Sequence, residues 1–295
     1  PNMPAPDLWI SRVEASHFAP GTAYVAVDGH RSSYFDPWIF KTTDFGRSFT
    51  RISDGIPGDE PVYVVKEDHT NPNLLFAGTE FAVYYSINGG GSWTRLNNNL
   101  PTVAIHDLVI HPRDPDVIIG THGRGLWIMD DISALQQLTP EVMASDAHVF
   151  ENEVATKWLR IQPQGTGGSL AFEGENPSRD TIINYYIGDD VSGEVTLTIS
   201  DVTGDNERTY TVPARAGINK LEWDMRYDPT PGEVRAWEER MERFRQTGRG
   251  GRGFNQQGAQ GQEAPIGTYR VTLTVNGVDY VGSVTVREDP MLSSD

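Results

Sequence analysis

The sequence predicts an all-β protein in two parts. The first is a partial β-propeller of three four-stranded blades; the second is an immunoglobulin- or fibronectin-like β-sandwich. Three observations lead there. A unit of about 43 residues repeats through the first part, the period of four-stranded blades. Within each unit, short runs rich in Val, Ile, Tyr and Phe alternate with turn residues, which is the pattern of strands. Beyond residue 160 the repeat stops, and short alternating strands follow with turns every ~8–12 residues, as in sandwiches.

The repeat is read from "FAPGTAYVAVDGHRSSYFDPWIFKTTD" (18–44), "DHTNPNLLFAGTEFAVYYS" (68–86) and "IHPRDPDVIIGTHGRGLWIMD" (110–130). The last two share an Asn-Pro or Asp-Pro turn, a short apolar strand, Gly-Thr and another strand; the first is a copy with a longer second loop. Innermost strand first, blade one is expected at 9–15, 22–28, 38–43 and 48–52. Blade two is expected at 62–66, 74–79, 82–86 and 92–96. Blade three is expected at 106–111, 117–121 and 125–130, with 147–153 ("AHVFENE") as the candidate fourth strand after a short helical stretch. Residues 1–160 thus form the propeller part, and 161–180 a Gly-rich connection. Three blades do not close a ring, since propellers have about 4–8. An open array exposes apolar edges, so the expected partners are the remaining blades, from the same precursor or another chain.

The sandwich is expected over 181–290, with strands at 181–187, 193–200, 207–213, 217–227, 267–277 and 278–288. Asn276-Gly277 marks a tight hairpin, because both central positions of such a turn favour positive φ. An insertion at 231–264 splits this part. Its first half (231–246) reads as a charged helix with Val234, Trp237, Met241 and Phe244 at helical spacing. Its second half (247–262) is Gly-rich, of low complexity, and expected to be mobile.

Composition excludes several classes. Net charge is −17, and only four of the 24 basic residues are Lys. That argues against nucleic-acid binding, which depends on cations neutralising phosphates; the Arg-Gly run at 247–262 does not outweigh it. No stretch approaches the ~20 apolar residues of a membrane-spanning helix. There is no Cys, so disulfides, thiolate metal sites and a cysteine nucleophile are ruled out.

One turn occurs twice in register. Thr42-Thr43-Asp44-Phe45-Gly46-Arg47-Ser48-Phe49 is followed 44 residues later by Ser86-Ile87-Asn88-Gly89-Gly90-Gly91-Ser92-Trp93. A short carboxylate or amide accepts backbone N–H groups of its own turn, and Gly46 and Gly90 adopt positive φ without a Cβ clash. Asn88 holds such a turn but is no carboxylate catalyst, so Asp44 reads as a fastener. The pattern S-x-D-x-G-x-[ST]-W resembles the Asp-box (BNR) repeat of sialidases, sortilin-type propellers and two-propeller glycosidases. Its positions here are Thr42, Asp44, Gly46, Ser48 and Phe49, then Ser86, Asn88, Gly90, Ser92 and Trp93.

The wider stretches 100–131 and 71–93 resemble the end of the propeller in large exported bacterial proteins labelled sortilin-like or BNR-repeat glycosyl hydrolases. The resemblance continues into the second part as "GxNxxxWDxRY…PxGTY", with Gly217, Asn219, Trp223, Asp224, Arg226, Tyr227 and Pro265, Gly267, Thr268, Tyr269. Ala82 and Asn88 depart from the usual Gly and Asp. The resemblance implies an extracellular, cell-surface or periplasmic location. It implies a module that binds protein, peptide or glycan and is non-catalytic in this segment. The alternatives are a glycoside hydrolase with its catalytic acids in other blades, and a structural surface or assembly component; a repeat alone does not establish catalysis.

In a four-stranded blade the loop after strand two lies on the face opposite the Asp-box turn. The candidate ligand face is therefore Asp28, His30, Arg31, Tyr34 and Asp36 of blade one, Glu80 of blade two, and His122 and Arg124 of blade three, joined by the loops at 54–61 and 97–103. These residues read either as a polar site near the channel mouth or as ion pairs tying blades together. His106, Asp107 and His111 read as polar packing on an innermost strand. No cofactor or metal is expected; calcium at the acidic loops 188–190 and 201–207 is the weaker alternative to solvated turns. Trp223 and Asp224 read as a core aromatic and a turn acid.

Overall fold

The structure, a computed structural model, describes residues 8–96, 99–159, 180–247 and 258–292. The connection expected at 161–180 and most of the Gly-rich run at 247–262 fall outside these residues. The chain divides into two compact units, Pro1–Thr139 and Pro140–Asp295. Both are almost entirely β.

The first unit holds three antiparallel sheets. Sheet one runs β1 (Trp9–Ala15), β2 (Ala23–Asp28), β3 (Trp38–Thr42) and β4 (Thr50–Arg51) in simple meander order. Sheet two repeats this with β5 (Val62–Glu67), β6 (Leu75–Thr79), β7 (Val83–Ser86) and β8 (Thr94–Arg95). Sheet three has β9 (Ile105–Ile110), β10 (Val117–Thr121) and β11 (Leu126–Met129), followed by the short helix α1 (Ser133–Gln137). These strands fall within a residue or two of those expected, because each is a β-branched or aromatic run bounded by turn residues.

The sheets pack face to face. Tyr24, Ala26 and Ile39 of sheet one share a buried cluster with Val62, Val65, Leu75, Ala77 and Tyr84 of sheet two. Sheets two and three approach so closely at Gly78 that an added Cβ would lie 2.7 Å from Ile105 Cγ2.

Buried carboxylates fasten the strands and turns of this unit. Glu67 of sheet two accepts hydrogen bonds from Ser16 Oγ (2.9 Å), His17 N (2.6 Å) and Tyr24 Oη (3.0 Å). Glu60 accepts from Thr79 Oγ1 (2.7 Å) and Tyr84 Oη (2.8 Å). Asp68, fully buried, accepts from Thr70 and Asn71 of its own turn and from Gln136 Nε2 at 2.9 Å.

The second unit begins with α2 (Pro140–Met143), and two sheets follow. One comprises β12 (Ala147–Val149), β14 (Thr181–Ile187) and β17 (Gly217–Trp223), in that order. The other has the order β13-β19-β18-β15-β16, formed by β13 (Ala155–Lys157), β15 (Glu194–Ser200), β16 (Glu207–Pro213), β18 (Gly267–Val275) and β19 (Val278–Glu288). Both line one core that includes Val149, Ile183, Tyr185, Leu197, Trp223, Tyr269 and Val284.

Here the structure corrects the sequence reading of 147–153. Ala147–Val149 pairs with Tyr185–Ile187 and supplies no fourth strand to sheet three. Ala147 and Val149 alternate into the second unit's core, which rewards them with a buried apolar face.

The strand expected at 217–227 ends at Trp223. Met225 there takes a left-handed φ of 53°, breaking the ladder. Arg226 then turns to clamp the returning insertion, bonding Gly261 O (3.0 Å) and Glu263 Oε1 (2.6 Å). Residues 258–264 are fastened by backbone bonds such as Tyr227 N to Gln262 O, 3.0 Å, so this end of the run expected to be mobile is pinned. The charged helix α3 (Pro231–Thr247) forms as expected, opened by Thr230 and Glu233 as a capping box. Asn276 and Gly277 both have positive φ, 51° and 79°, as the hairpin requires. No helix is long and apolar enough to cross a membrane among the described residues.

Candidate functional site: a ring ladder across three sheets

The same irregularity occurs in all three innermost strands. In β1, Ile10 and Arg12 pair with Val27 and Ala26, leaving Ser11 over. In β5, Val62 and Val64 pair with Thr79 and Gly78, leaving Tyr63 over. In β9, Ile105 and Asp107 pair with Thr121 and Gly120, leaving His106 over. A bulge adds one residue to one strand and re-aims its side chain. Here it takes Tyr63, which stays buried, and His106, which is exposed, out of strand alternation.

Re-aimed in this way, the rings meet groups from the loops after the second strands. Tyr63 and His106 stack, with centroids 4.6 Å apart and planes 11° apart. His106 lies 5.1 Å from His122. On the other side, the His30 ring stands edge-on to Tyr63 at 5.9 Å. The order His30, Tyr63, His106, His122 thus crosses all three sheets.

Two carboxylates flank this ladder, and each is engaged. Buried Asp28 accepts from His30 N (2.9 Å) and contacts its Nδ1 at 2.7–2.8 Å. That fixes the imidazole so that its Nε2 points away from Asp28. Glu80 accepts a short hydrogen bond from Tyr63 Oη. Burial, then the Glu80 contact, push the Tyr63 phenol well above its usual range, so it stays a neutral donor.

Of the eight ligand-face residues expected from sequence, Asp28, His30, Glu80 and His122 belong to this assembly. Arg31 leaves it, stacking over the Trp9 ring at 5.5 Å. Tyr34 leans on Trp38 at 6.0 Å, and Asp36 and Arg124 are exposed at the margin. Asp28 pairs with His30 of its own loop, and Glu80 accepts from the Tyr63 phenol of its own sheet.

His106, read as polar packing, is instead exposed and central to the ladder. Asp107 forms an ion pair with Arg12. His111 Nδ1 accepts the Asp114 backbone N–H at 3.0 Å. Tyr63 went unnoticed, since an aromatic between two valines reads as core.

The two repeated turns are built alike on the opposite end. Ser48 donates its N–H (2.9 Å) and Oγ–H (2.6 Å) to Asp44, while Gly46 N–H donates to Thr42 Oγ1 (3.0 Å). In the second, Ser92 N donates to Asn88 Oδ1 (2.8 Å), Asn88 Nδ2 to Ser92 Oγ (3.0 Å), and Gly90 N to Ser86 Oγ (2.9 Å). Trp93 is buried against sheet one; its backbone N–H bonds Asp54 O at 2.9 Å, and its indole N–H bonds Ile52 O. Phe49 packs at the edge of a smaller cluster with Val25, Val27, Trp38 and Phe40.

The Ser48 bonds hold the exposed Asp44 carboxyl at about 2, below its usual 3.8. A depressed carboxylate stabilises the fold above its unfolded value, and that contribution is lost as pH falls from about 4 towards about 2. Asp44→Asn is therefore expected to keep the turn, as Asn88 does, and to flatten the thermal midpoint against pH in that window. An unchanged acid profile would remove this role.

The acidic loop at 201–207 is self-satisfied. Asp201 accepts from Thr203, Gly204, Asp205 and Asn206 of its own turn. Among the described residues no group of three or more His, Asp or Glu is placed to hold a metal ion.

No protein-family model matches this sequence, and no curated protein does. Among solved structures, the chain is similar to a YCF48 bound to a D1 peptide, at 16% identity over 44% of this chain and 39% of that one, TM-score 0.33. It is similar to a GH74 enzyme of Niastella koreensis, at 12% identity over 93% and 38%, TM-score 0.34. A GH74 xyloglucanase of Xanthomonas campestris gives 12% identity over 93% and 38%, TM-score 0.35. The chain spans less than two-fifths of the length of each of these β-propeller-like proteins.

Proposed function

We propose that the first unit is an arc of an Asp-box β-propeller that binds a polar ligand on the ladder face, without chemistry in this segment. The ligand class is a protein, peptide or glycan. In this reading the second unit is an accompanying immunoglobulin-like sandwich, and the protein is exported. The observation that carries the proposal is the ring ladder. Three bulges, one per sheet of the first unit, are costly irregularities, and two of them bring the Tyr63 and His106 rings together. The exposed His106 and His122 rings, backed by the buried Tyr63 and edged by oriented polar groups, suit a ligand with both flat apolar and hydrogen-bonding surface. Asp28 and Glu80 are each engaged by a protein partner, which favours binding over a carboxylate pair acting on a glycosidic bond.

The test is a binding screen of the whole chain against glycan and peptide panels, followed by variants. His106→Ala is expected to weaken any ligand found by about tenfold, the worth of one stacked ring, with an unchanged circular dichroism spectrum. Binding indifferent to His106→Ala and His122→Ala would remove the ladder as the site. Turnover of a glycoside abolished by Glu80→Gln would replace the binding reading with the hydrolase one.

A further inference from the structure

The Trp-Asp-x-Arg-Tyr segment does more than end β17. Met225 holds a left-handed φ of 53°, a backbone state that is strained for a residue with a Cβ. Asp224 and Arg226 stand on either side of it, and both line a cavity of about 490 Å³ in the second unit. That volume lies within the range of about 300–1,000 Å³ common for ligand sites. The ends of β13 and β19 supply further lining, as does Ile266, the variable position of the Pro-x-Gly-Thr-Tyr segment. Both motifs of the second unit thus meet at one cavity.

Its charges do not balance. The lining carries four carboxylates, Asp180, Asp224, Glu263 and Glu288, against two cations, Lys157 and Arg226. Both cations go to the same acid: Arg226 Nη2 lies 2.6 Å from Glu263 Oε1, and Lys157 Nζ 3.2 Å from Glu263 Oε2. Each also donates to a carbonyl, Gly261 O at 3.0 Å and Ala264 O at 3.1 Å. Glu288 stands beside Lys157 in the β13–β19 ladder, yet the ammonium bonds Glu263 instead. Asp224 accepts the Arg226 backbone N–H at 3.2 Å. Among the described residues neither Asp224 nor Glu288 lies in an ion pair. The rest of the wall is apolar and open: Trp158 is 51% exposed, Ile266 57% and Leu292 45%.

We infer that this cavity receives an arginine side chain of a partner peptide. Surplus carboxylates and the face of an exposed indole both attract a cation. The planar guanidinium fork bonds a carboxylate through two parallel N–H groups, which a lysine ammonium does not. Its methylene stem suits an apolar wall. Three exposed apolar side chains are more than one stem covers, so the peptide carries apolar residues beside its arginine. The site belongs to the second unit alone and rests neither on the ladder nor on the propeller reading.

The experiment is calorimetric titration of the whole chain with the blocked peptide Ala-Leu-Arg-Leu-Ala, with its Lys and Gln counterparts, and with spermidine as a free amine. The arginine peptide is expected to bind best, the lysine peptide less well, and the glutamine peptide at least about tenfold more weakly than the first. Trp158→Ala is expected to weaken the arginine peptide by about fivefold. Glu288→Lys is expected to abolish its binding. Glu194→Lys is the control, since Glu194 is exposed and outside the cavity and the change alters net charge by the same amount; it is expected to leave binding intact. All three are surface changes, so folding is preserved, with circular dichroism as the check. No binding of the arginine peptide at millimolar concentration, or equal binding of the glutamine peptide, would overturn the inference. So would equal losses in Glu194→Lys and Glu288→Lys, which would mean attraction to an acidic chain at large. Binding of spermidine without the peptides would replace the peptide with a free amine and overturn it as well.

Discussion

Trp223→Ala is expected to destabilise the second unit by about 3–5 kcal/mol, seen as a fall in thermal midpoint of roughly 10 °C. Trp223 is fully buried, and its ring stands edge-on to Tyr269 with centroids 5.0 Å apart. Its indole N–H bonds Arg226 O at 2.9 Å, just where the strand ends. Removing it leaves a cavity in the core and an unpaired carbonyl beside the clamp that holds residues 258–264. Trp223→Phe keeps a ring against Tyr269 and loses only the N–H, so its cost is expected to be smaller, about 1–2 kcal/mol. An alanine variant within about 1 kcal/mol of the parent in urea denaturation would mean the core tolerates the hole, and this account of the Trp-Asp-x-Arg-Tyr segment would fail.

Glu67→Ala is expected to cost about 2–4 kcal/mol. Its carboxylate sits between sheets one and two and accepts three hydrogen bonds from sheet one. Burial, then the charge of Glu67, hold the Tyr24 phenol well above its usual range, so the hydroxyl depends on this acceptor. Alanine leaves that hydroxyl buried and unpaired. Glu67→Gln restores one acceptor oxygen but turns an amide N–H₂ toward remaining donors, so it is expected to recover only part of the loss. The loop at 16–22 lies at the opposite end of the strands from the ladder. Ligand affinity of the folded Glu67→Gln variant is therefore expected to match the parent. A large affinity loss in that variant would show the two ends to be coupled.

The turns were legible because they are local. Thr42, Asp44, Gly46 and Ser48 satisfy one another across four residues of chain, and a second copy with Asn88 identified the role of the acid. The loop residues of the ladder were legible in part. Their position after each second strand placed Asp28, His30, Glu80 and His122 at one end, but nothing in the spacing separated them from Arg31, Asp36 and Arg124.

Tyr63 and His106 were not legible as a pair. They sit 43 positions apart, and their meeting depends on bulges that strand alternation does not reveal. Glu60, Glu67 and Asp68 were missed for the same reason, since a buried acid looks like any other until donors distant in sequence meet it.

By itself the sequence determined the strands, their meander, the repeated turns and the change of pattern after the repeat. Each of these is set by periodicity and by hydrogen bonds spanning a few residues. The tertiary structure alone decided which residues the bulges bring together, which acids are buried, and that Ala147–Val149 joins the second unit's sheet. Those outcomes depend on which distant apolar face and which distant donor a side chain meets. That is settled when the sheets pack, because burying an unpaired polar group costs more than any local preference contributes.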